Sequence, residues 1–352
     1  MSEPLRTTEI FADYRAAMEA FIDERWSDGL PVMLPTPDLV DGMIAAGGRA
    51  DDEVLGVVPT RELPVHVWQA ATSAVMAGCK PAYFPVVLAS WDAMLAPEFN
   101  LHTVLSSTGG PAIACVVSGP YAQAIGMNAG TGLLGPGNRA NATIGRAIRI
   151  GALTALKAIP GELDYGAFGH AGKYSFHFPE GQPAAGWPTL SEQRGYAREQ
   201  TTVTVMAAEG PHQISHRWAP TADEYLLTVA SAMRDPSRNG TGANSSYILA
   251  LGPEHMGLLA DAGMTPAGIA QRLSELSAIT VEDLRRAGIN HAKGRIYYGA
   301  PDANGLLCNA RPENILVIAA GGPGAGWSAL IPNFAKVSVT APVTREVKLP
   351  PK

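Results

Sequence analysis

The chain has 352 residues, of which 38 are glycine and 28 proline, 46% are hydrophobic and 16% are charged. That charged share is low against the roughly 25% of an average soluble domain, and the hydrophobic share excludes a chain kept unfolded by polarity and charge. Net charge is −6 and no run of five basic residues occurs, so the electrostatic footprint of a nucleic-acid binder is missing.

Met1 to Ile10 is polar and carries Glu3, Arg6 and Glu9, unlike the apolar core of a secretory signal or an acid-poor transit peptide. No stretch approaches the ~20 apolar residues of a membrane span. Cys79, Cys115 and Cys308 are scattered and form no C-x-x-C pair, which argues against a disulfide framework or a cysteine zinc site. The expectation is a reduced, cytoplasmic protein with no membrane partner and no cofactor. Its low charge points to a buried interface, either between copies in a homo-oligomer or with a partner subunit.

Phe11, Tyr14, Met18, Phe21 and Ile22 share one face of a helix expected from Thr8 to Trp26. Asp28-Gly29-Leu30-Pro31 and Leu34-Pro35-Thr36-Pro37 follow as an extended arm, since proline pushes its predecessor out of the helical region. From Pro64 the pattern alternates: helix Pro64 to Ala77, strand Tyr83 to Ala89, helix Trp91 to Leu95, strand Ala112 to Ser118, helix Thr143 to Ala158. Residues 161–200 are aromatic, glycine-rich and irregular, as expected of a linker or lid; within them Lys173, Tyr174 and His177 are candidate lid contacts. Strand Thr202 to Ala208 is next, and Thr221 with Glu224 forms a capping box for a helix ending at Met233. Ser246 to Leu251 reads as a strand, Thr265-Pro266 and Thr280 with Asp283 open two helices, and Asn314 to Ala320 is a last buried strand.

This alternation predicts an α/β fold. The expected architecture is two layered α/β lobes with mixed or parallel sheets around a central cleft, plus an N-terminal helical arm. The divisions are 1–60 for the arm, 61–160 for the first lobe, 161–200 for the linker or lid and 201–352 for the second lobe. Both halves carry strand, glycine turn and helix in similar order, and no residue-level repeat is read between them.

Gly126 to Arg149 holds the densest chemistry. Its glycines at 126, 130, 132, 135 and 137 precede a helix expected to open near Asn141 or Thr143, and free N–H groups at such a helix start suit a carboxylate or phosphate. Gly137, Asn138, Arg139, Asn141, Thr143 and Arg146 are therefore candidate ligands of a small anionic molecule. The spacing fits neither a P-loop nor a dinucleotide fingerprint, and tight backbone packing is the alternative use of these glycines. Cys79, beside Lys80 and between two elements, is a candidate nucleophile, although a helix C-terminus opposes its ionisation. Glu254 and His255 follow a Gly-Pro turn after a strand, which suits general acid–base work. His212 is a further substrate contact, and with His216 and His255 it makes an alternative metal set. Gly322 and Gly324 follow a buried strand, where backbone can approach a ligand.

Ala77-Gly78-Cys79-Lys80-Pro81-Ala82-Tyr83-Phe84-Pro85-Val86-Val87, the run Gly135 to Ala147 and Gly252-Pro253-Glu254-His255 resemble a bacterial family related to proteins with the UGSC (seleno)protein motif, over most of residues 26 to 334. The resemblance implies association with thiol or selenol redox chemistry, hence a non-catalytic or redox-coupled subunit. The UGSC motif itself is absent from this chain. Gly135-Pro136-Gly137-Asn138 and Pro253-Glu254-His255 are also similar to fragments of histidinol dehydrogenase, which implies acid–base roles for Glu254 and His255. The remainder of that family's zinc-site pattern does not appear. The leading expectation is an enzyme of lyase or hydrolase type for a small anionic substrate, using Cys79, Glu254 and His255 in a cleft built from the loops after residues 119, 209, 251 and 320 and covered by the aromatic segment.

Overall fold

The computed structural model describes residues 9–287 and 300–350. Helix α1 (Tyr14–Asp23) starts where the Asp13 carboxylate accepts from the Ala16 N–H at 2.8 Å, and it buries Ala17, Met18 and Phe21. It is shorter than the expected Thr8 to Trp26, and Tyr14 and Ile22 lie exposed off that face; Thr8 itself lies outside the described residues. The arm follows, pinned by Arg146, and leads into a helix the sequence reading lacks, α2 (Pro37–Gly47), with proline in its first turn. A hairpin of β1 (Val54–Val58) and β2 (Leu63–His66) comes next, then α3 (Val67–Ala77).

The strand expected at Tyr83 to Ala89 is instead the start of α4 (Phe84–Met94). Ten of its eleven residues are buried, and a run that is apolar on every side has no helical period to read. Proline is tolerated at Pro85 because the first turn has no intrahelical N–H partner to lose. The short helix α5 (Leu101–Ser106) precedes β3 (Ala112–Ser118), then come α6 (Pro120–Ala124) and α7 (Arg139–Thr154). Inside the segment expected to be a linker lie β4 (His177–Pro179) and α8 (Leu190–Gln193).

The second half contains β5 (Thr202–Ala208), β6 (His212–Ser215), α9 (Ala222–Met233), β7 (Ser245–Leu251), α10 (Pro253–Asp261), α11 (Pro266–Leu276), β8 (Ile279–Thr280) and α12 (Val281–Arg286). After the undescribed stretch come β9 (Leu306–Leu307), β10 (Ile315–Ala319), β11 (Trp327–Lys336) and β12 (Val343–Glu346). The capping threonines read from the sequence hold: Thr221, Thr265 and Thr280 each accept from a first-turn N–H.

The fold is α/β with a mixed eight-stranded sheet in the order β10-β7-β11-β5-β3-β4, with β6 added on β11 and β12 on β5. Its two halves repeat one pattern. β3 pairs β4 in parallel and β5 antiparallel, while β7 pairs β10 in parallel and β11 antiparallel. The fourth strands are exchanged: β6 follows β5 in the chain but pairs with β11, and β12 follows β11 but pairs with β5. The halves join where Asn333 of β11 faces Ala208 of β5.

This topology exposes a residue-level repeat that the sequence reading missed. Gly181-Gln-Pro-Ala-Ala-Gly-Trp-Pro-Thr-Leu190 matches Gly321-Gly-Pro-Gly-Ala-Gly-Trp-Ser-Ala-Leu330 at six of ten positions. Ala93-Met94-x-x-Pro97-x-x-Asn100 matches Ala232-Met233-x-x-Pro236-x-x-Asn239, and Gly119-Pro120 matches Gly252-Pro253. The offsets are 140, 139 and 133 residues, so insertions hide the period from a fixed-interval search.

Alternation along the strands sorts two faces. Ala114 and Val116 of β3, Phe178 of β4, Met206 of β5, Ile248 of β7, Ile318 of β10 and Ile331 of β11 meet in one inner core common to both halves. The opposite faces are covered separately, by α3, α4 and α7 over Val117, Val203 and Val205 and by α9 and α11 over Tyr247, Leu249 and Val317. A shared core thus occupies the place where a cleft between lobes was expected. No described helix is long and apolar enough to cross a membrane.

Candidate functional site at the strand-end seam

Three of the four glycine loops expected to build the site do meet, at one seam. The loop after β4 reaches β10 through Gly181 N–H to Ala319 O at 2.7 Å. The loop after β10 reaches the glycine-rich loop through Gly321 N–H to Ala129 O at 2.8 Å. There a Cβ on Gly322 would lie 2.0 Å from Thr131 Oγ1, so only glycine permits the approach. Glu254, after β7, closes the third side: its Oε1 accepts from Gly324 N–H at 2.9 Å and Ala325 N–H at 3.1 Å. The fourth loop, after residue 209, runs away to His170.

At this seam a carboxyl stands at the ends of the parallel strands β3 and β4, the position where α/β sheets place ligands. Glu180 N–H bonds to Val117 O at 2.9 Å, extending the ladder by one residue. Its two oxygens accept from the Leu190 N–H at 3.0 and 2.9 Å, at the start of α8, and Oε2 accepts from the Ser118 hydroxyl. Ser118 is fixed in turn by Ser191, whose N–H donates to Ser118 Oγ at 3.0 Å and whose hydroxyl contacts Ser118 O at 3.0 Å. β3 leaves the sheet at Gly119, where φ is +121° and a Cβ would stand 2.5 Å from Gln200 O. Burial disfavours the charged carboxylate more than these donors favour it, and the carboxyl is pushed up to about 7. The equivalent strand ends of the second half carry Leu251 and Ala320, with neither hydroxyl nor carboxyl. The sequence reading missed Ser118 and Glu180. The available signal was a glutamate between an apolar run and a glycine, Phe178-Pro179-Glu180-Gly181, hidden inside a three-residue strand.

The glycine-rich loop is held by its own asparagines. Asn138 caps α7 by accepting from Asn141 N–H at 3.0 Å and donates to Gly126 O at 2.8 Å. Asn141 accepts from Asn128 N–H and donates to Asn128 O and Leu133 O. The helix therefore opens at Arg139, earlier than the expected Asn141 or Thr143. Gly137 and Arg139 are exposed on this loop, with Arg139 Nε donating to Gly78 O at 2.9 Å. Arg146 is not available to a substrate: it grips both carboxylate oxygens of Asp28 at 2.8 Å and the carbonyls of Leu30 and Pro31.

The three expected catalytic groups are arranged otherwise than the sequence reading supposed. Cys79 is buried beside Thr143 and Arg139, and burial pushes its thiol up to about 12, which removes the thiolate a nucleophile needs. Glu254 is held as a carboxylate, below its usual range, chiefly by the Gly324 N–H. His255 is buried on the other side of that loop. Its Nε2 contacts His216 O at 3.2 Å, a donation that leaves Nδ1 to accept from the Ser328 hydroxyl at 2.8 Å, and Ser328 accepts from Tyr225 at 2.9 Å. With both ring nitrogens engaged and burial lowering its pKa, His255 is a neutral packing group. No described contact links Cys79 to Glu254 or His255. His212 is exposed on β6 opposite Leu330, and no group of three His, Cys, Asp or Glu among the described residues is placed to hold a metal. His177, a candidate lid contact, is instead buried in β4 against Ser90 at 3.2 Å, and burial lowers its pKa to about 3.

A search against protein-family models finds none that matches the chain, and no curated protein matches it significantly.

Proposed function

We propose that this chain is an enzyme of lyase or hydrolase type for a small anionic substrate, with Glu180 as its general acid–base at the seam. The observation that carries this reading is a carboxyl poised at about 7 at a strand end whose counterpart in the other half is alanine. A group titrating near ambient pH gives and takes protons with least penalty, and such perturbed groups gather at functional sites. The exposed tip of the glycine-rich loop, residues 134–137, offers backbone polar groups, and the guanidinium of Arg139 supplies the counter-charge for the substrate. Leu190 N–H and Ser118 hold the carboxyl in place and tune it. The redox-subunit and metal readings draw no support from buried Cys79 or from His212, His216 and His255, which form no metal-holding group among the described residues.

The test is a thermal-shift screen of small mono- and dicarboxylates and phosphate esters, followed by turnover of whatever stabilises the protein. Glu180→Gln is expected to lower kcat about 10²-fold or more with KM little changed. Arg139→Met is expected to raise KM. Full turnover by Glu180→Gln would remove the reading.

A further inference from the structure

A concavity lies at the other end of β3, roughly 20 Å from the seam at ~3.3 Å per residue. There the chain from Ile159 to Tyr174 folds back over the start of β3, with Ala167 N–H bonded to Thr108 O at 2.9 Å. Together with the end of α1, the arm and the C-terminal half of α7 it borders a half-open cavity of about 710 Å³, within the range of small-molecule sites. In its wall Lys173 Nζ and Arg149 Nη2 both bond to one oxygen of Asp164, at 2.6 and 3.0 Å. The other lining charges are already matched. Asp28 is held by Arg146, and Arg25 pairs with Glu162 at 2.5 Å. His170 is neutral, its Nε2 facing Ala208 O and its Nδ1 accepting from Gly172 N–H.

Two cations against one carboxylate leave one positive charge in a concave wall, with side chains only 18% and 14% exposed, in a chain whose net charge is −6. Charge so withdrawn from water calls for a counter-ion. The rim is apolar: Phe168 projects fully into solvent from the Gly166–Gly169 turn, and Tyr174 and Ile22 are exposed beside it. We infer that this cavity binds a monoanionic carboxylate with an aromatic or apolar body, its carboxylate on Lys173 and Arg149 and its body against Phe168 and Tyr174. The inference stands apart from the seam chemistry, since no residue is common to the two sites.

Calorimetric titration with benzoate and phenylacetate tests it, with acetate, inorganic phosphate and benzylamine for comparison. The expected result is saturable binding of the aromatic carboxylates, at least tenfold weaker acetate binding and no benzylamine binding. Lys173→Met should weaken benzoate at least tenfold while Glu180→Gln leaves it unchanged. Should Lys173→Met not fold, Phe168→Ala at a fully exposed position decides, with severalfold weaker binding expected. The inference is overturned if wild type binds no aromatic carboxylate at millimolar concentration, if acetate or phosphate binds as well as benzoate, or if neither Lys173→Met nor Phe168→Ala weakens binding. Loss of benzoate in Glu180→Gln with Lys173→Met unaffected would place the ligand at the seam and overturn it as well.

Discussion

Glu180 owes its near-neutral titration to a contest between two opposed effects. Three hydrogen bonds from two donors favour the carboxylate, while removal from water disfavours it, and the outcome at about 7 says that desolvation prevails. The sign of the consequence for stability follows directly. A carboxyl raised above its ordinary 4.5 keeps its proton longer in the folded protein than in the unfolded chain, so unfolding free energy falls as pH rises from about 4.5 to about 7. The full shift corresponds to roughly 3 kcal/mol. Urea unfolding at pH 5 and pH 8 is expected to show Glu180→Gln losing about 2.5 kcal/mol less than wild type between the two conditions. Equal losses in both proteins would mean that Glu180 ionises normally. His177 acts with the opposite sign: lowered to about 3 by burial, it costs stability as pH falls below about 6.5.

At the scale of elements, what the sequence displayed and what it hid have physical causes. Strands β3, β5 and β7 were legible because each is a seven-residue run rich in β-branched and apolar side chains that ends at a polar residue or Gly-Pro. The capped helices α9, α11 and α12 were legible because their threonine caps are local chemistry. α4 was read as a strand because burial on all sides erased its period. α2 was hidden because its prolines looked like an extended arm, whereas one of them starts the helix. The arm itself is extended as expected, but its anchor is long-range and left no local signal: Arg146 on α7 reaches back over more than a hundred residues to Asp28. Arg146→Met would leave the Asp28 carboxylate, only 3% exposed, without its partner. A loss of about 3 kcal/mol in urea unfolding is expected, together with faster proteolysis between Ser27 and Pro37. An unchanged unfolding midpoint would show that the arm does not depend on this pair.

At the scale of the whole molecule, the exchanged strands β6 and β12 tie the halves together, and both halves contribute to one inner core. The chemistry proposed for this chain is therefore assigned to the ends of the sheet. The sequence reading put its candidate ligand contacts on the glycine loops and chose among their residues by type alone. Type cannot tell a free arginine from Arg146, already saturated by Asp28, or an active thiol from Cys79, buried under α7. The repeat adds a comparison that type lacks: where Ser118 and Glu180 stand in one half, Leu251 and Ala320 fill the same strand ends in the other, and in the first half the pair receives the N–H groups of Leu190 and Ser191 at the start of α8. The most direct test is an infrared titration of the glutamate carboxyls, with the Glu180→Gln difference spectrum isolating one group. A carboxyl band lost with a midpoint near pH 7 is the result this account expects, and a midpoint at or below about 4.5 would contradict it.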